Sequence, residues 1–455
     1  MYELKAGACE AGINPPEELF PFRKYENSFF EGCLDELKAK AIVLDNGATR
    51  FLILGMDVGE TLNGEQKAEI TKKYGFDYEH ILTFNTHNHS APCWGHVPAP
   101  RGKKPQDQSE REIVYEKTVM AGIHKAVEGA IASLRPARYG FGTGESYINT
   151  NRDQLFEDGF WMQGQNYTGF SDKTLAVMKW EDYDGNLIAA FLNYCCHGTC
   201  AFTRRDVDGK IKTSPEFMGY ACNYVQERYG GTPVIIWSSG AAGDQNPLFS
   251  SEGFPRTYEK DGYSESIDTP DGTQYMIQKH WGFQHGIDAI HVIESIRNMK
   301  ERMKITTSST IVKLDGQKAP EGADMQYNRL LVDNFLRGYR PDLFENGKHP
   351  EKKLVEMVPD GTVDLYMQLA ILGDAAFVGE AAEPYCRIGA KCKEASPFKN
   401  TVVVTHTDGR KAGYILDDAS ADHKVFQSFA KVRPGNNDGK IIRGMLDMFD
   451  DALNK

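Results

Sequence analysis

The run Ile81-Leu-Thr-Phe-Asn-Thr-His-Asn-His-Ser-Ala-Pro-Cys-Trp94 constrains the fold more than any other stretch of the chain. Its first half is apolar and β-prone, the composition of a buried strand, and Pro92 forbids that strand to continue. The histidines therefore fall at a strand end. Side chains alternate along a strand, so His87 and His89 are expected on one face and Asn88 on the other. Two imidazoles on one face suit a metal, or a metal plus a bound substrate. A hydrogen-bonded histidine pair beneath a loop satisfies the same pattern, so other strand ends must carry the argument further.

Residues 40–57 form two β-prone runs joined through Asn46-Gly47, a hairpin signal, and close at Asp57. A helix over Glu65–Tyr74 leads into the histidine strand. Val119, Ile123, Val127, Ile131 and Leu134 recur at helical spacing, which makes 110–134 an amphipathic helix laid on a sheet. A second hairpin covers 174–197, turns at Asp184-Gly185-Asn186, and ends its buried run in His197. Ser214-Pro215-Glu216 opens a helix with Ser214 as its cap, and Gly230-Gly231 stops it.

The strand Pro233–Ser238 runs into Gly240-Ala-Ala-Gly-Asp-Gln-Asn-Pro247. That loop lacks the Gly-Lys-Ser/Thr of a P-loop and reads either as a tight turn or as an oxyanion or substrate cradle. Gly140-Phe-Gly-Thr-Gly144 lacks dinucleotide-loop spacing and carries no nucleotide role. Helices are expected over 273–303 and 322–337. A hairpin of Val363–Gly373 and Ala375–Gly379 then ends in Glu380, and the strand Thr401–Thr405 leads through His406 to Tyr414. No internal repeat stands out.

Strands alternating with helices predict an α/β fold of mixed β-sheets packed with outer helices. The 455 residues contain no Pro/Gly/Ser-rich or highly charged linker, so one large domain is expected over 1–455, with 97–108 and 249–276 as a polar lid or rim. The 52 basic residues against 64 acidic ones give a formal charge of −12 without a basic stripe, which argues against nucleic acid. No basic n-region with an apolar h-region opens the chain, and no apolar run approaches membrane-spanning length. A soluble cytoplasmic protein acting on a small-molecule substrate, without integral membrane association, is the expectation. Nine cysteines, Cys195 and Cys196 adjacent, without any Cys-x-x-Cys, read as reduced thiols.

Four strand ends thus carry potential ligands: His87 with His89, His197, Glu380 and, less directly, Tyr414. Ligands in α/β proteins gather beyond the carboxyl ends of strands, and two histidines with a carboxylate are a usual set for catalytic zinc. Glu383 competes with Glu380 for the carboxylate place, and Tyr414 reads equally as a core aromatic.

Several motifs then bear on family. Ala6–Pro15, Thr86-His-Asn-His-Ser-Ala-Pro92, Ile148-Asn-Thr-Asn-Arg152, Ser171–Leu175, Asn193-Tyr-Cys-Cys-His197, Gly240–Pro247, Val378-Gly-Glu380 and Ala412-Gly-Tyr414 follow one another as in the neutral ceramidases. From about residue 5 to 430 the chain resembles the catalytic domain of that family. The resemblance implies Zn2+ held by His87, His197, Glu380 and Tyr414, with His89 and Arg152 contacting substrate or oxyanion. The family's catalytic serine, in Gly-Asp-Val-Ser-Pro, falls at Asn246, and its Thr-His-Thr-His-Ser-Gly-Pro becomes a version with Asn88 and Ala91. The family's immunoglobulin-like domain and secretion signal have no counterpart, in keeping with the cytoplasmic expectation.

The expected function is zinc-dependent hydrolysis of an amide or related carbonyl bond in a small soluble substrate by metal-activated water, with His89, Arg152, Asp244 and Asn246 as the catalytic set. One alternative keeps zinc as a Lewis acid for a lyase or isomerase, with His89 or Asp244 as base. Another is a non-catalytic binding protein with a relict site.

Overall fold

The computed structural model describes residues 3–25, 28–92, 94, 109–155, 159, 161–201, 205–249, 271–323, 354–409 and 412–454. The first sheet has the order β4-β3-β2-β1, built from β1 (Lys5–Gly12), β2 (Lys38–Asp45), β3 (Arg50–Met56) and β4 (Ile81–Asn85). The helices α1 (Gly64–Tyr74) and α2 (Glu110–Ala132) belong to this part of the chain. A second sheet, β10-β9-β8-β5, uses β5 (Arg138–Glu145), β8 (Thr174–Glu181), β9 (Leu187–Tyr194) and β10 (Val234–Ser239). Beside it lies a small sheet of β6 (Asn149–Leu155), β7 (Trp161–Asn166) and β11 (Gln245–Pro247), with α3 (Glu216–Arg228) and α4 (Thr273–Ser295) as the helices of this region. The last sheet, β12-β13-β14-β15, comprises β12 (Ile305–Lys318), β13 (Val358–Leu372), β14 (Ala375–Glu380) and β15 (Asn400–Thr405), with α5 (Cys386–Ala395) and α6 (Asp438–Asn454).

One arrangement recurs three times without a sequence repeat. An antiparallel hairpin is followed by a helix and by a strand parallel to the hairpin's second member: β2-β3-α1-β4, β8-β9-α3-β10 and β13-β14-α5-β15. Alternation along each strand sends one set of apolar side chains inward and the other outward. The inward sets of all three sheets meet in one core that includes Leu82, Phe84, Phe191, Ile236, Phe377 and Val404. At its centre, Phe84, Phe191 and Phe377, one from each sheet, pack edge to face with ring centres 5.7 and 5.1 Å apart. Burial of each ring stabilises the junction by about 2–3 kcal/mol. The outward sets are covered by helices, α2 on the first sheet, α3 and α4 on the second, α5 and α6 on the last.

The predicted mixed sheets with outer helices are what the chain forms. Several details differ. The Gly140–Gly144 segment is the strand β5, where a Cβ at Gly142 would stand 2.7 Å from Ile296, so the glycine lets α4 lie close against the sheet. The helix expected over 273–303 stops at Ser295, because Ile296 turns extended and Lys300 bridges to Tyr139. The long strand β12 follows, unpredicted. Pro215 rather than Ser214 takes the N-cap position of α3; Ser214 Oγ accepts from the Glu216 N–H at 3.4 Å and donates to Gln278 Oε1. Residues 324–337 of the second expected helix, and 97–108 and 250–270 of the expected lid, lie outside the described residues. The eight described cysteines are free thiols, and among the described residues no helix is long and apolar enough to cross a membrane.

Candidate metal centre

The threefold arrangement brings five strand ends to one place, and the polar residues just beyond them form the site. His87 follows β4, His197 follows β9, Asp244 to Asn246 follow β10, Glu383 follows β14, and His406 follows β15. The side chains gather because each loop must leave its sheet at the shared core.

The reason His87 and His89 face each other is not strand alternation. β4 ends at Asn85, and His87 adopts a left-handed φ of 53° while its N–H donates to Asn85 Oδ1 at 2.6 Å. His406, Asp408 and Glu216 take left-handed φ values too, 57°, 57° and 52°. Such conformations in side-chain-bearing residues cost about 1–3 kcal/mol each and persist only where surrounding contacts fix them. Here the contacts are specific. Asn88 Nδ2 donates to the carbonyls of Asp57 and Ser214 at 3.2 and 2.7 Å, turned away from the site. Glu216, fully buried, accepts from Ser90 Oγ at 2.7 Å and from the N–H groups of Cys200 and Ala201 at 3.1 and 2.8 Å. One carboxylate thereby ties the loop after His89 to the loop after His197. Asp408, buried with Lys67 at 3.4 Å and accepting from Tyr78 Oη at 2.6 Å, anchors the loop that carries His406.

The donor atoms converge. Glu383 Oε2 lies 3.3 Å from His87 Nε2 and 3.7 Å from His197 Nε2, while His89 Nε2 lies 3.1 Å from His87 Nε2. Ligands around a tetrahedral zinc at about 2.0–2.1 Å stand roughly 3.3 Å apart, so this spacing suits one ion. His197 Nδ1 is 2.9 Å from the Gln245 carbonyl, which fixes the tautomer with N–H on Nδ1 and leaves the Nε2 lone pair free. His197 Nε2 and Glu383 Oε2 are sealed from solvent yet make no well-formed hydrogen bond. Buried polar atoms without partners are uncommon, and a cation would satisfy them. Burial lowers His197 to about 3 and His89 well below its ordinary value, so both imidazoles are neutral and able to ligate. Burial alone would raise Glu383, but His87, His197 and His406 hold it well below the usual carboxylate range.

The carboxylate at the histidines is Glu383, not the expected Glu380. Alternation along β14 puts Glu380 on the face of Ala376 and Val378, towards the helices, so it joins neither the His87, His89 and His197 group nor the His87, Glu383 and His406 group of closely spaced donors. Both its oxygens are buried without a hydrogen bond, and burial raises its carboxyl to about 8. His406 does fall within ligand spacing of His87 and Glu383. Its ring, however, lies flat on that of His87, so the two imidazole planes do not meet at a common ion. The sequence signal for Glu383 was that it sits past the strand end rather than on it; His406 offered only its place after β15.

The remaining expected residues surround this centre. Tyr414 lies beside Glu383 and Arg152; burial, then the Glu383 charge, raises its phenol well above 10. Arg152 is buried, but its fork is largely turned to the protein. Nε and Nη2 donate to the Gly243 carbonyl, the former at 3.1 Å, Nη2 also reaches Tyr414 Oη at 3.4 Å, and Nη1 donates to Asn246 Oδ1 at 3.2 Å. Asp244 accepts from Asn151 Nδ2 and from the Cys386 N–H, both at 2.7 Å. Burial, with Asp153 second, lifts its carboxyl to about 8. With both oxygens engaged, Asp244 holds the loop and is not placed to act as a base.

This arrangement of sheets has solved counterparts. The crystal structure of neutral ceramidase from Pseudomonas aeruginosa superposes with a TM-score of 0.67 over 98% of this chain and 74% of that one, at 16% identity. The fold is ceramidase-like. A second ceramidase structure, complexed with C2, gives a TM-score of 0.67 at 15% identity over 98% of this chain and 75% of that one. No protein-family model and no curated protein sequence matches the chain. The ceramidase-like scaffold therefore accounts for the sheets and for where their ends meet.

Proposed function

We propose that the protein is a zinc-dependent hydrolase that cleaves an amide, or a related carbonyl bond, of a small soluble substrate. The observation that carries this reading is Glu383 Oε2 set between His87 Nε2 and His197 Nε2, with His197 Nδ1 anchored on Gln245 O. Fold likeness to ceramidases, which hydrolyse an amide, supports the reaction class. His87, His197 and Glu383 would hold the ion, with Tyr414 or His89 beside them. Zinc there would supply a Lewis acid and lower the pKa of a coordinated water from about 15.7 to about 7.

The chain's own residues supply the rest. A bond forms between water oxygen and carbonyl carbon, the carbon–nitrogen bond breaks, and the water proton ends on the leaving nitrogen. His89 would donate to the oxyanion if Tyr414 takes the place on the ion, since Arg152 spends most of its donors on Gly243, Tyr414 and Asn246. One such donor is worth about 3 kcal/mol in the transition state. Asp244 and Arg152 position the loop that fixes His197.

Two measurements test the reading. Protein purified without added metal should carry close to one zinc per chain; less than about a tenth of an equivalent would indicate a relict site. In water enriched in heavy oxygen, the acid product should carry the label; a product without it would point to a lyase or isomerase.

A further inference from the structure

Arg152 is a buried cation, 3% exposed, whose described partners are all neutral: a peptide carbonyl, an amide oxygen, a phenol and the rings of Tyr414 and Phe426, 5.6 and 5.2 Å from its guanidinium. Among the described residues no carboxylate pairs with its guanidinium. Asp153 acts on it only at longer range, with one oxygen held by His423 Nδ1 at 2.9 Å and the other buried without a hydrogen bond, and Asp244 is occupied by Asn151 and Cys386. A buried charge without a counter-charge is costly, and the cost is removed when an anion binds.

Asn246 stands next to it with 2% exposure. Because Arg152 Nη1 donates to its Oδ1, its Nδ2 is turned away from the guanidinium. That Nδ2 has no hydrogen-bond partner among the described residues and is not one of the atoms sealed from solvent. The Asn246 amide and one remaining Nη1 N–H of Arg152 therefore offer two adjacent donors, the pattern that receives a carboxylate. Arg152 Nη2 reaches Tyr414 Oη, and Gln245, the residue before Asn246, holds His197 through its carbonyl, so the pair adjoins the candidate metal centre. Charge points the same way. A zinc ion and Arg152 together outweigh Glu383 and Asp153 while Tyr414 remains a neutral phenol, which would give a positive site in a chain of formal charge −12.

We propose that Arg152 and Asn246 form an anion subsite beside the metal centre, so that the substrate is a small amide bearing a carboxylate, N-acetylglycine being the simplest of the class. This rests on the hydrolase reading above and deepens it. Asn246 is then a specificity-determining residue: a donor-only contact on the substrate where a serine hydroxyl could both donate and accept.

The test uses the zinc-loaded full chain and a probe that cannot be hydrolysed, the ketone in which a methylene replaces the amide N–H of N-acetylglycine. Its neutral carboxamide is the control, and calorimetry gives both dissociation constants. The carboxylate should bind at least about tenfold more tightly than the carboxamide, a charge-assisted pair of hydrogen bonds. Asn246→Leu should remove most of that preference with zinc content unchanged, and Asn246→Ser should retain part of it. Equal binding of the two probes to the wild type overturns the subsite. So does a full preference in Asn246→Leu, which would assign the carboxylate to the metal. N-acetylglycine hydrolysis is measured separately: a carboxylate preference without turnover leaves the subsite standing and removes the hydrolase, and turnover without preference does the reverse.

Discussion

The imidazole of His406 lies flat on that of His87, with ring centres 3.9 Å apart and planes 13° from parallel. The lone pair of an imidazole nitrogen lies in the ring plane, so two imidazoles can share an ion at about 2.0–2.1 Å only if their planes meet at that ion. Stacked planes this close to parallel do not. His406 therefore backs His87 rather than joining it, and fixes the orientation of a ring whose backbone is already held left-handed. By contrast, His87 meets His197 at 73°, a crossing that allows shared coordination.

It follows that His406→Phe, which keeps a flat ring against His87, should retain zinc at the wild-type level. His406→Ala removes the backing and should weaken zinc binding by about 10–100-fold, the usual effect of losing a group that orients a ligand. Zinc per chain after dialysis against a weak chelator reads both. Loss of zinc in His406→Phe would make His406 a ligand and refute the stacking argument.

Glu383 and Glu380 offer the next separation. Glu383→Gln takes the carboxylate from between His87 and His197 and should leave less than about a tenth of an equivalent of zinc. Glu380→Met should hold as much as wild type. The reverse pattern would restore Glu380 as the ligand and would require β14 to turn its end over.

Why the sequence pointed to these strand ends but to Glu380 rather than to Glu383, which lies at the histidines, is a matter of geometry. Apolar runs that break off at histidines are visible in one dimension, so His87 and His197 could be placed at strand ends, and hairpins such as β2-β3 announce themselves through Asn46-Gly47. The face on which Glu380 lies depends on the pleat of β14, and alternation from Phe377 inward to Val378 outward would have given it. The turn that returns Glu383 to the histidines, through Ala381 and Ala382, has no such signature. Neither has His406, whose place depends on a left-handed residue and on the distant anchor of Lys67 on Asp408. β12 was missed because its Ser and Thr residues dilute the alternation that its partner β13 shows clearly.

Glu380 has a second consequence, in pH. Its carboxyl is raised by burial to about 8, against about 4.3 in an unfolded chain. Folded protein thus keeps a proton that unfolded protein loses between these values, so this group's contribution to stability falls as pH rises from about 4.3 to about 8. Glu380→Met replaces it with an apolar group of similar size facing the same helices. The variant should melt above wild type at pH 8, by an amount on the order of a few kcal/mol, and the gap should shrink towards pH 5. Melting curves at the two pH values read this, and a gap that grows on acidification would show that Glu380 is ionised in the fold.

A fourth place on the proposed metal would fall to Tyr414 or His89, and proton release distinguishes them. His89 is neutral, so it could ligate without losing a proton, whereas the Tyr414 phenol, raised by burial and by Glu383, must ionise to bind. Arg152 Nη2, 3.4 Å from Tyr414 Oη, favours that ionisation. Zinc titrations of metal-free protein in two buffers of different ionisation enthalpy count the protons released. With Tyr414 as ligand, Tyr414→Phe should release about one proton fewer per zinc and bind it less tightly. His89→Ala should match wild type in zinc and in protons while hydrolysis falls by about 10²–10³, the loss expected for one oxyanion donor. If His89→Ala loses zinc and Tyr414→Phe does not, the third histidine is the ligand, and the oxyanion donor must be sought on the Asn246 side of the site.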